Sequence, residues 1–384
     1  MNIIKLAMKK ILAFIGINYC FVFLAGSISA QDFRAIQDGI EHAALTRKIK
    51  DEPVVINLLR LDLSKVRLDV VHAMDAAIGT ETTSSMATRH GALAAINAGF
   101  FRLDKSIFQG DNVSLLMING NLLSENSNNR TSLFIINEEA LTSTNIEKAN
   151  PIVRLTSKKF NEIVSGINRE RKSDELILYT PEFNSTTLTD RNGIEAVIVK
   201  GKVIQILENK SSNRIPADGF ILSATGKFSD KLKSLKIGSK IKTQLSFARP
   251  IEDSKSFDIP KLEDIVSGVP QLIKNGKIEI TWEQEKSSKA FVETRHPRTA
   301  VAKLKDGKFL MVTVDGRQPN VSVGMNLNEL AALLLELGAT DAMNLDGGGS
   351  TTMFLNGKIV NNPSDKEGER KVSDAILVFP RKKR

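Results

Sequence analysis

Residues 308–354 read KFLMVTVDGRQPNVSVGMNLNELAALLLELGATDAMNLDGGGSTTMF, and the architecture can be worked out from this segment. Two short apolar runs, residues 309–314 and 342–345, have the length and composition of buried strands. Each run ends in an Asp-Gly pair, at Asp315 and at Asp346. The residues between the runs have the pattern of a helix, so the segment predicts a strand, a helix and a second strand, a βαβ unit.

The helix between the two runs carries signals at both ends. Asn326 can accept a hydrogen bond as the N-cap, and Glu329, three residues later, can complete a capping box. Gly338 follows the last turn, where glycine often ends a helix. The sequence therefore predicts a helix that begins after Asn326 and ends before Gly338. Four leucines with helical spacing give it one apolar face: Leu327, Leu330, Leu334 and Leu337.

A βαβ unit brings the carboxylates of Asp315 and Asp346 to one edge of a sheet. The crossover makes the strands parallel, so both Asp-Gly pairs lie at the C-terminal edge, where ligands bind in α/β folds. Adjacent strands place them ~4.8 Å apart, and one intervening strand roughly doubles that separation. Two carboxylates about 5–9.5 Å apart suit cleavage of a glycosidic bond. The alternative is structural, because Asp-Gly is also a common turn dipeptide.

The second Asp-Gly pair continues into a glycine run, residues 347–349, followed by Ser350. Successive glycines let backbone N–H groups approach an anion such as a phosphate. The run is not a Walker loop, because no lysine follows the glycines. Ser350 also lacks the G-x-S-x-G setting of a nucleophile elbow. The run therefore predicts an anion-binding turn beside Asp346.

The rest of the chain is rich in strand patterns. Residues 54–72 predict two strands, residues 82–90 a short helix, and residues 92–98 a buried strand. Further strand patterns fill residues 176–250. Because strands dominate the first two thirds and the βαβ unit closes the chain, the predicted fold class is α+β with a mixed β-sheet core.

The N-terminus has the anatomy of a secretory signal peptide, predicted for residues 1–30. Three lysines precede an apolar stretch at residues 11–25, and small residues around Ala30 offer a cleavage site before Gln31. The alternative is an uncleaved anchor. Residues 31–52 are polar and helix-prone, and they are interpreted as a lead-in segment.

Composition excludes several classes of function. The chain has 384 residues and a formal net charge of +9, and the basic tail at 381–384 could touch nucleic acid or anionic lipid. Aromatic residues are few and no basic helix stands out, so neither a nucleic-acid partner nor a membrane span in the mature chain is predicted. The single cysteine, Cys20, lies in the leader, which leaves no disulfide and no thiol nucleophile. No cofactor is predicted, and metal use and oligomeric state are left open.

Five sequence motifs, taken together, resemble the phosphodiester glycosidase family in their amino-acid sequences and in their order along the chain. The resemblance covers roughly residues 53–380, which are interpreted as one catalytic domain with a candidate insertion at 138–175. The motifs are NAGFF at 97–101, RHPRTA at 295–300, VDGR at 314–317, NLDGGGS at 344–350, and NPS at 362–364 with Arg370.

The resemblance implies hydrolysis of a sugar 1-phosphodiester, in which the sugar is separated from the phosphate. Asp315 and Asp346 are the catalytic candidates, as base, nucleophile or stabiliser of an oxocarbenium ion. Arginine binds phosphate through a planar fork, so three arginines are candidates for holding the phosphate. The substrate-binding candidates are Asn97, Arg298, Arg317, Asn344, Gly347, Gly348, Gly349, Ser350 and Arg370.

Several of these residues also have a structural interpretation. Arg298 could sit in a structural ion pair, Arg317 could be an exposed turn residue, and Asn97 could cap the turn at Gly99. Phe100 and its neighbour Phe101 fit a core position as well as a sugar platform.

Three functions remain open from the sequence. The first is an exported hydrolase that cleaves an envelope glycan or another sugar 1-phosphodiester, N-acetylglucosamine-1-phosphodiester included. The second is a non-catalytic module that binds envelope glycan or phosphate, and the third is a phosphodiesterase that cuts the P–O bond. Retention of both Asp315 and Asp346 favours an enzyme.

Overall fold

The computed structural model of the protein describes residues 33–158, 160–248, 256–257 and 262–381. The predicted signal peptide and the last three residues of the basic tail lie outside the described residues. Within these ranges, no helix has both the length and the apolar character needed to cross a membrane.

The largest sheet has eight strands and is built from both ends of the chain. Each hydrogen-bonded pair of neighbours in it runs antiparallel, which differs from the predicted mixed sheet. Its strands, in spatial order, are β1 (Arg34–Gln37), β2 (Ile40–Ile49), β3 (Glu52–Leu61), β24 (Phe309–Val314), β23 (Arg298–Leu304), β25 (Ala339–Asn344), β21 (Gln271–Lys274) and β22 (Lys277–Ile278).

Strand β23 separates the two strands that precede the Asp-Gly pairs. Both β24 and β25 are antiparallel to β23, so they run in the same direction and end at the same edge. They are not neighbours, and the larger of the two expected strand separations applies, roughly 10 Å. The two strands are separated because β23 and β24 form a tight hairpin, which makes β23 the direct neighbour of β24. The hairpin turns at Gly307, whose φ of 82° is readily adopted by glycine because it has no Cβ.

The helix that joins β24 to β25 is α4 (Leu327–Glu336), and its predicted capping is confirmed. The Asn326 side chain accepts from the Glu329 backbone N–H at 2.9 Å, and the Glu329 carboxylate accepts from the Asn326 N–H at 3.0 Å. Its leucine face packs on the eight-stranded sheet, where Ile56, Ala300 and Val312 meet Leu330 and Leu334.

A second sheet covers the opposite face of the eight-stranded sheet. Side chains of alternate residues make this contact, so Met311 of β24 and Met343 of β25 pack against Ile96 and Ile376. The central strands are therefore apolar on both faces, which explains their uninterrupted hydrophobic runs. The second sheet contains β27 (Lys358–Ile359), β26 (Met353–Leu355), β6 (Ala94–Asn97), β29 (Asp374–Pro380) and β4 (Val66–His72).

The remaining strands form three larger sheets and one two-stranded ribbon. One five-stranded sheet contains β10 (Thr142–Lys148), β9 (Thr131–Asn137), β20 (Asp264–Ser267), β7 (Leu116–Ile118) and β8 (Asn121–Ser124). Another contains β13 (Gly166–Ile167), β14 (Leu176–Tyr179), β17 (Gly219–Ala224), β15 (Ile194–Val199) and β16 (Lys202–Glu208). The four-stranded sheet contains β12 (Phe160–Ile163), β11 (Asn150–Ser157), β18 (Lys242–Ala248) and β19 (Ser256–Phe257). The ribbon pairs β28 (Lys371–Val372) with β5 (Glu81–Thr82).

Three further helices are short: α1 (Thr83–His90), α2 (Ser229–Lys233) and α3 (Lys289–Glu293). Helix α1 confirms the predicted helix at residues 82–90, with Thr82 as its cap. The protein is therefore α+β and strongly strand-rich.

The interpretation of residues 31–52 as helix-prone is wrong. The described residues of this segment form β1, β2 and the start of β3 in the main sheet. Exposed residues 44, 46 and 48 alternate with inward-facing ones from Ala43 to Ile49, but the inward-facing Leu45 and Arg47 are only half-buried, which makes the strand pattern weak in the sequence. Residues 138–175 supply strands of three sheets, and their status as an insertion stays a prediction.

Candidate active site

The two predicted catalytic carboxylates leave the same edge of the main sheet. Val314, which precedes Asp315, pairs with Arg298 across the β23–β24 ladder. On the other side of β23, the Leu345 N–H donates to the Thr299 carbonyl at 2.8 Å, which brings Asp346 level with Arg298. Their side-chain separation of roughly 5–10 Å stays a prediction based on paired-acid chemistry.

Asp315 is almost fully buried, with 3% of its surface exposed. One of its carboxylate oxygens accepts hydrogen bonds from the Asn362 N–H at 3.0 Å and from Asn361 Nδ2 at 3.1 Å. Burial raises the pKa of Asp315, and these two hydrogen bonds oppose the rise. The carboxylate therefore orders the segment that contains Asn361 and Asn362.

Asp346 is half-buried at the start of the glycine run. Burial raises the pKa of Asp346 to about 6, and the negative charge of Asp374 adds to this rise. The Ser350 hydroxyl, the Gly347 N–H at 3.0 Å and the positive charge of Arg370 act in the opposite direction. The Ser350 hydroxyl does not form a hydrogen bond of normal geometry with any described residue.

Asp374 is a third acid at the site, and sequence reasoning missed it. It is fully buried at the start of β29, where its carboxylate accepts from the Gly99 N–H and from Asn112 Nδ2. Burial raises the pKa of Asp374 to about 6. The negative charge of Asp374 is therefore the one that raises the pKa of Asp346. Its one sequence signal was an acid at the head of an apolar strand.

Three amides of the turn that contains the glycine run donate to atoms of the protein. The Gly347 N–H donates to its neighbour Asp346, and the Gly348 N–H donates to the Pro297 carbonyl at 2.9 Å. The Ser350 N–H donates to the Gly347 carbonyl at 3.2 Å. These three amides are engaged within the protein, and the Gly349 N–H is not among them, so substrate binding by the glycine run stays a prediction.

The glycines leave room for two arginine side chains. A Cβ on Gly348, whose φ is 62°, would lie 3.0 Å from Arg317 Nη2. A Cβ on Gly349 would lie 2.2 Å from Arg370 Nη2. Two arginine side chains therefore rest directly on the turn that carries Asp346.

Arg298 has a structural role in this structure, and its predicted contact with phosphate stays a prediction. Its side chain is only 1% exposed. Nε donates to the Met325 carbonyl at 2.9 Å, and Nη2 donates to the Phe291 and Thr294 carbonyls, each at 2.8 Å. Arg298 thus ties three loop carbonyls together. Burial lowers its pKa to about 10.

The other two predicted arginines, Arg317 and Arg370, differ in their exposure and in their hydrogen-bond partners. Arg370 is held by Asp365, with Nε–Oδ2 at 2.8 Å and Nη2–Oδ1 at 3.1 Å. Arg317 is exposed and has a φ of 60°, and its Nη2 lies 3.4 Å from His296 Nδ1. Substrate contact by these two residues stays a prediction.

The two predicted asparagines position the backbone of the site. Asn97 is fully buried, and its Nδ2 donates to the Asp346 carbonyl at 2.6 Å. Its Oδ1 accepts from Thr299 Oγ1 at 2.8 Å and from the Thr352 N–H at 3.1 Å. Asn344 Nδ2 donates to the Val269 and Leu345 carbonyls, each at 2.7 Å. Both asparagines hold backbone in this structure, and Asn344 Oδ1 is buried without a hydrogen-bond partner among the described residues. Substrate contact by either side chain stays a prediction.

A chain of aromatic and cationic side chains borders the site. The Phe100 and Phe291 rings meet edge to face, with centroids 6.2 Å apart. The Arg298 guanidinium lies 4.9 Å from the Phe291 centroid, and the Arg130 guanidinium lies 5.3 Å from the Phe100 centroid. Arg130 was not predicted, because a lone arginine in a polar loop carries no periodic signal.

Among the residues that the structure describes, no group of three or more His, Cys, Asp and Glu side chains is placed to hold a metal ion.

Comparison with known proteins gives a family match. Residues 189–379 match the model of the family described as phosphodiester glycosidase. The match includes Asp315, Asp346 and Asp374, and it excludes Asn97 and Arg130.

Three similar proteins differ in their sequence identity to this chain and in the share of the chain that aligns. The N-acetylglucosamine-1-phosphodiester alpha-N-acetylglucosaminidase of Bos taurus is 39% identical over 110 residues, 26% of this chain and 20% of that enzyme. An uncharacterised protein of Rickettsia conorii is 28% identical over 233 residues, 60% of this chain and 77% of that protein. A solved structure of a hypothetical protein from Synechocystis has a TM-score of 0.77 at 22% identity and shares the fold; the alignment covers 91% of this chain and 63% of that one. The match to the bovine enzyme thus spans only a fifth of its length.

Proposed function

Because the chain belongs to the phosphodiester glycosidase family, we propose that it is an exported hydrolase that cleaves the glycosidic bond of a sugar 1-phosphodiester. The observation that carries the proposal is Asp346, a half-buried acid with a pKa of about 6 on a turn against which two arginines pack. The name of the bovine relative specifies an N-acetylglucosamine-1-phosphodiester. Here the sugar is proposed to belong to an envelope glycan or a related phosphodiester, in keeping with the predicted leader.

The chemistry of this substrate matches such a site. A phosphodiester is an acidic leaving group, so it departs without a strong proton donor, whereas its negative charge needs cations nearby. At neutral pH, Asp346 is mostly ionised and still basic enough to accept a proton. An ionised carboxylate can activate water or stabilise an oxocarbenium ion, and both roles need its charge.

The other acids have supporting roles in this proposal. Asp374 is fully buried, so it acts on Asp346 through space and does not touch the substrate. Asp315 remains the second catalytic candidate, at the opposite side of β23. Arg317 and Arg370 flank the turn and are proposed to face the leaving phosphate.

The direct test is hydrolysis of a panel of sugar 1-phosphodiesters by the purified protein in ¹⁸O-labelled water. Glycosidic cleavage places the label on C1 of the released sugar. Label in the phosphate product would instead establish cleavage of the P–O bond. Binding of the panel without turnover would establish a non-catalytic module.

A further inference from the structure

Arg130 is a cation with buried, unpaired donors, and its charge interacts with that of Asp346. Its side chain is half-buried, and its Nε and Nη1 atoms are buried without a hydrogen-bond partner among the described residues. A guanidinium carries five N–H donors, and leaving charged donors buried and unpaired is unfavourable. The fold therefore holds a cation whose buried donors can bind a ligand.

The surroundings of Arg130 show that its position is built and not accidental. Asn126 Oδ1 accepts from the Arg130 N–H at 3.1 Å, and Asn126 Nδ2 donates to the Arg130 carbonyl at 3.0 Å and to the Ala149 carbonyl at 2.7 Å. The next residue, Thr131, donates its N–H and its hydroxyl to the buried Glu285 carboxylate, at 3.0 and 2.8 Å. The backbone on both sides of the Arg130 Cα is therefore held, while Nε and Nη1 of the guanidinium have no hydrogen-bond partner among the described residues.

Nearby acids compensate the positive charge of the Arg130 guanidinium only in part. Burial lowers the pKa of Arg130, and the charges of Glu285 and Asp346 only partly oppose this. Arg298 and Arg370, in contrast, donate to carbonyls and to Asp365. Of the arginines around Asp346, Arg130 combines partial burial with unpaired donors.

We propose that Arg130 binds the phosphate of the substrate, with the Phe100 ring holding the plane of its guanidinium. This inference rests on the proposed function and names the residue that recognises the phosphodiester. A guanidinium edge presents two parallel N–H groups, which match two non-bridging phosphate oxygens. One monoanionic phosphodiester satisfies the unpaired donors and neutralises the buried charge, and it places the leaving group next to Asp346.

Binding of dimethyl phosphate, measured by calorimetry at low ionic strength, tests the proposal without any need for turnover. Arg130→Gln should weaken binding at least tenfold and leave the melting temperature unchanged or higher, because no protein hydrogen bond of the guanidinium is lost. Arg130→Lys keeps the positive charge but lacks the planar guanidinium, so its affinity for dimethyl phosphate should lie between those of the wild type and Arg130→Gln. The matched control is Arg191→Gln, which removes an exposed arginine between β14 and β15 and should bind within twofold of wild type.

Equal affinity in wild type and Arg130→Gln, no binding by wild type, or an unfolded Arg130→Gln protein would each overturn the proposal. Failure of the hydrolase function looks different: dimethyl phosphate would bind through Arg130 while no sugar 1-phosphodiester is turned over. If turnover is found, Arg130→Gln should reduce kcat/KM far more for the phosphodiester than for a neutral aryl glycoside of the same sugar. Equal losses on both substrates would also contradict phosphate recognition by Arg130.

Discussion

At the level of single residues, Asp346 is the side chain on which the site depends. Its backbone is fixed by Asn97 Nδ2 at its carbonyl and by the Ala98 carbonyl, 2.9 Å from its N–H. Its carboxyl is tuned by burial and by the neighbouring Asp374. The Asp-Gly pair and the glycine run pointed to Asp346 from the sequence, whereas Asp374 is brought beside it only by the pairing of β29 with β6.

We predict that Asp346→Asn abolishes turnover and leaves the fold intact. Asparagine has nearly the same shape but cannot supply the negative charge, so the rate should fall by on the order of 10² or more. The measurement is kcat on the best sugar 1-phosphodiester, with the melting temperature as the control for folding. Activity within about threefold of wild type would remove Asp346 from the chemistry.

We predict an acid limb in the pH–rate profile with an apparent pKa of about 6. Activity needs ionised Asp346, so it is present above this pH and is lost as the pH falls through it. Asp374→Asn removes a negative charge that raises the pKa of Asp346, so the limb should move to lower pH. Because the two acids interact, the limb reports the pair. A limb that stays in place in an active Asp374→Asn protein would contradict the coupling.

We predict that Arg298→Lys lowers stability more than it lowers substrate recognition. Lysine cannot reach the Met325, Phe291 and Thr294 carbonyls at once, and each buried carbonyl left unpaired costs about 1–3 kcal/mol. The free energy of unfolding should therefore fall by at least about 2 kcal/mol. Chemical denaturation measures this directly. Unchanged stability with weaker phosphodiester binding would restore the substrate role expected from the sequence.

At the level of elements, the turn after β25 and the β23–β24 hairpin shape the site. Helix α4 and strands β24 and β25 could be predicted because periodicity and capping are local properties. Strand β23 was not predicted, although Asp306-Gly307 before β24 is a hairpin signal. Its insertion between β24 and β25 sets the spacing of Asp315 and Asp346, and no local pattern encodes which strands become neighbours.

We predict that Gly349→Ala reduces activity with little loss of stability. The added Cβ displaces the ends of the Arg370 and Asp365 side chains, which can move, but it disturbs the cation that faces Asp346. The comparison variant is Gly219→Ala, whose Cβ would lie 1.9 Å from the Ile198 carbonyl oxygen, part of a backbone that cannot move aside. Gly219→Ala should therefore lower the melting temperature clearly while Gly349→Ala does not. The reverse order would show that the turn is rigidly packed.

At the level of the whole molecule, the two ends of the chain build one sheet. Strand β3 lies beside β24, and its Val55 carbonyl accepts from the Asp315 N–H at 3.0 Å. Ser322 completes this link, since its hydroxyl donates to the Asp315 carbonyl at 2.6 Å and accepts from the Val55 N–H at 3.0 Å. N-terminal strands thus support a candidate site that the C-terminal third supplies. Such long-range pairing could not be inferred from sequence patterns, which is why residues 31–52 were misjudged.

We predict that a chain beginning at residue 51 fails to fold stably, whereas a chain beginning at Gln31 keeps the wild-type melting temperature. Strand β2 pairs with all ten residues of β3, from Ile40 with Leu61 to Ile49 with Glu52. Its removal leaves a long β3 edge open to association with other chains and uncovers apolar partners of Ile40, a side chain whose burial contributes about 1.5–3 kcal/mol. Size-exclusion chromatography and thermal denaturation of both chains measure the outcome. A monomeric chain from residue 51 that melts like the longer one would show that β1 and β2 are a dispensable lead-in after all, and that the Asp315 loop holds without the sheet edge beside it.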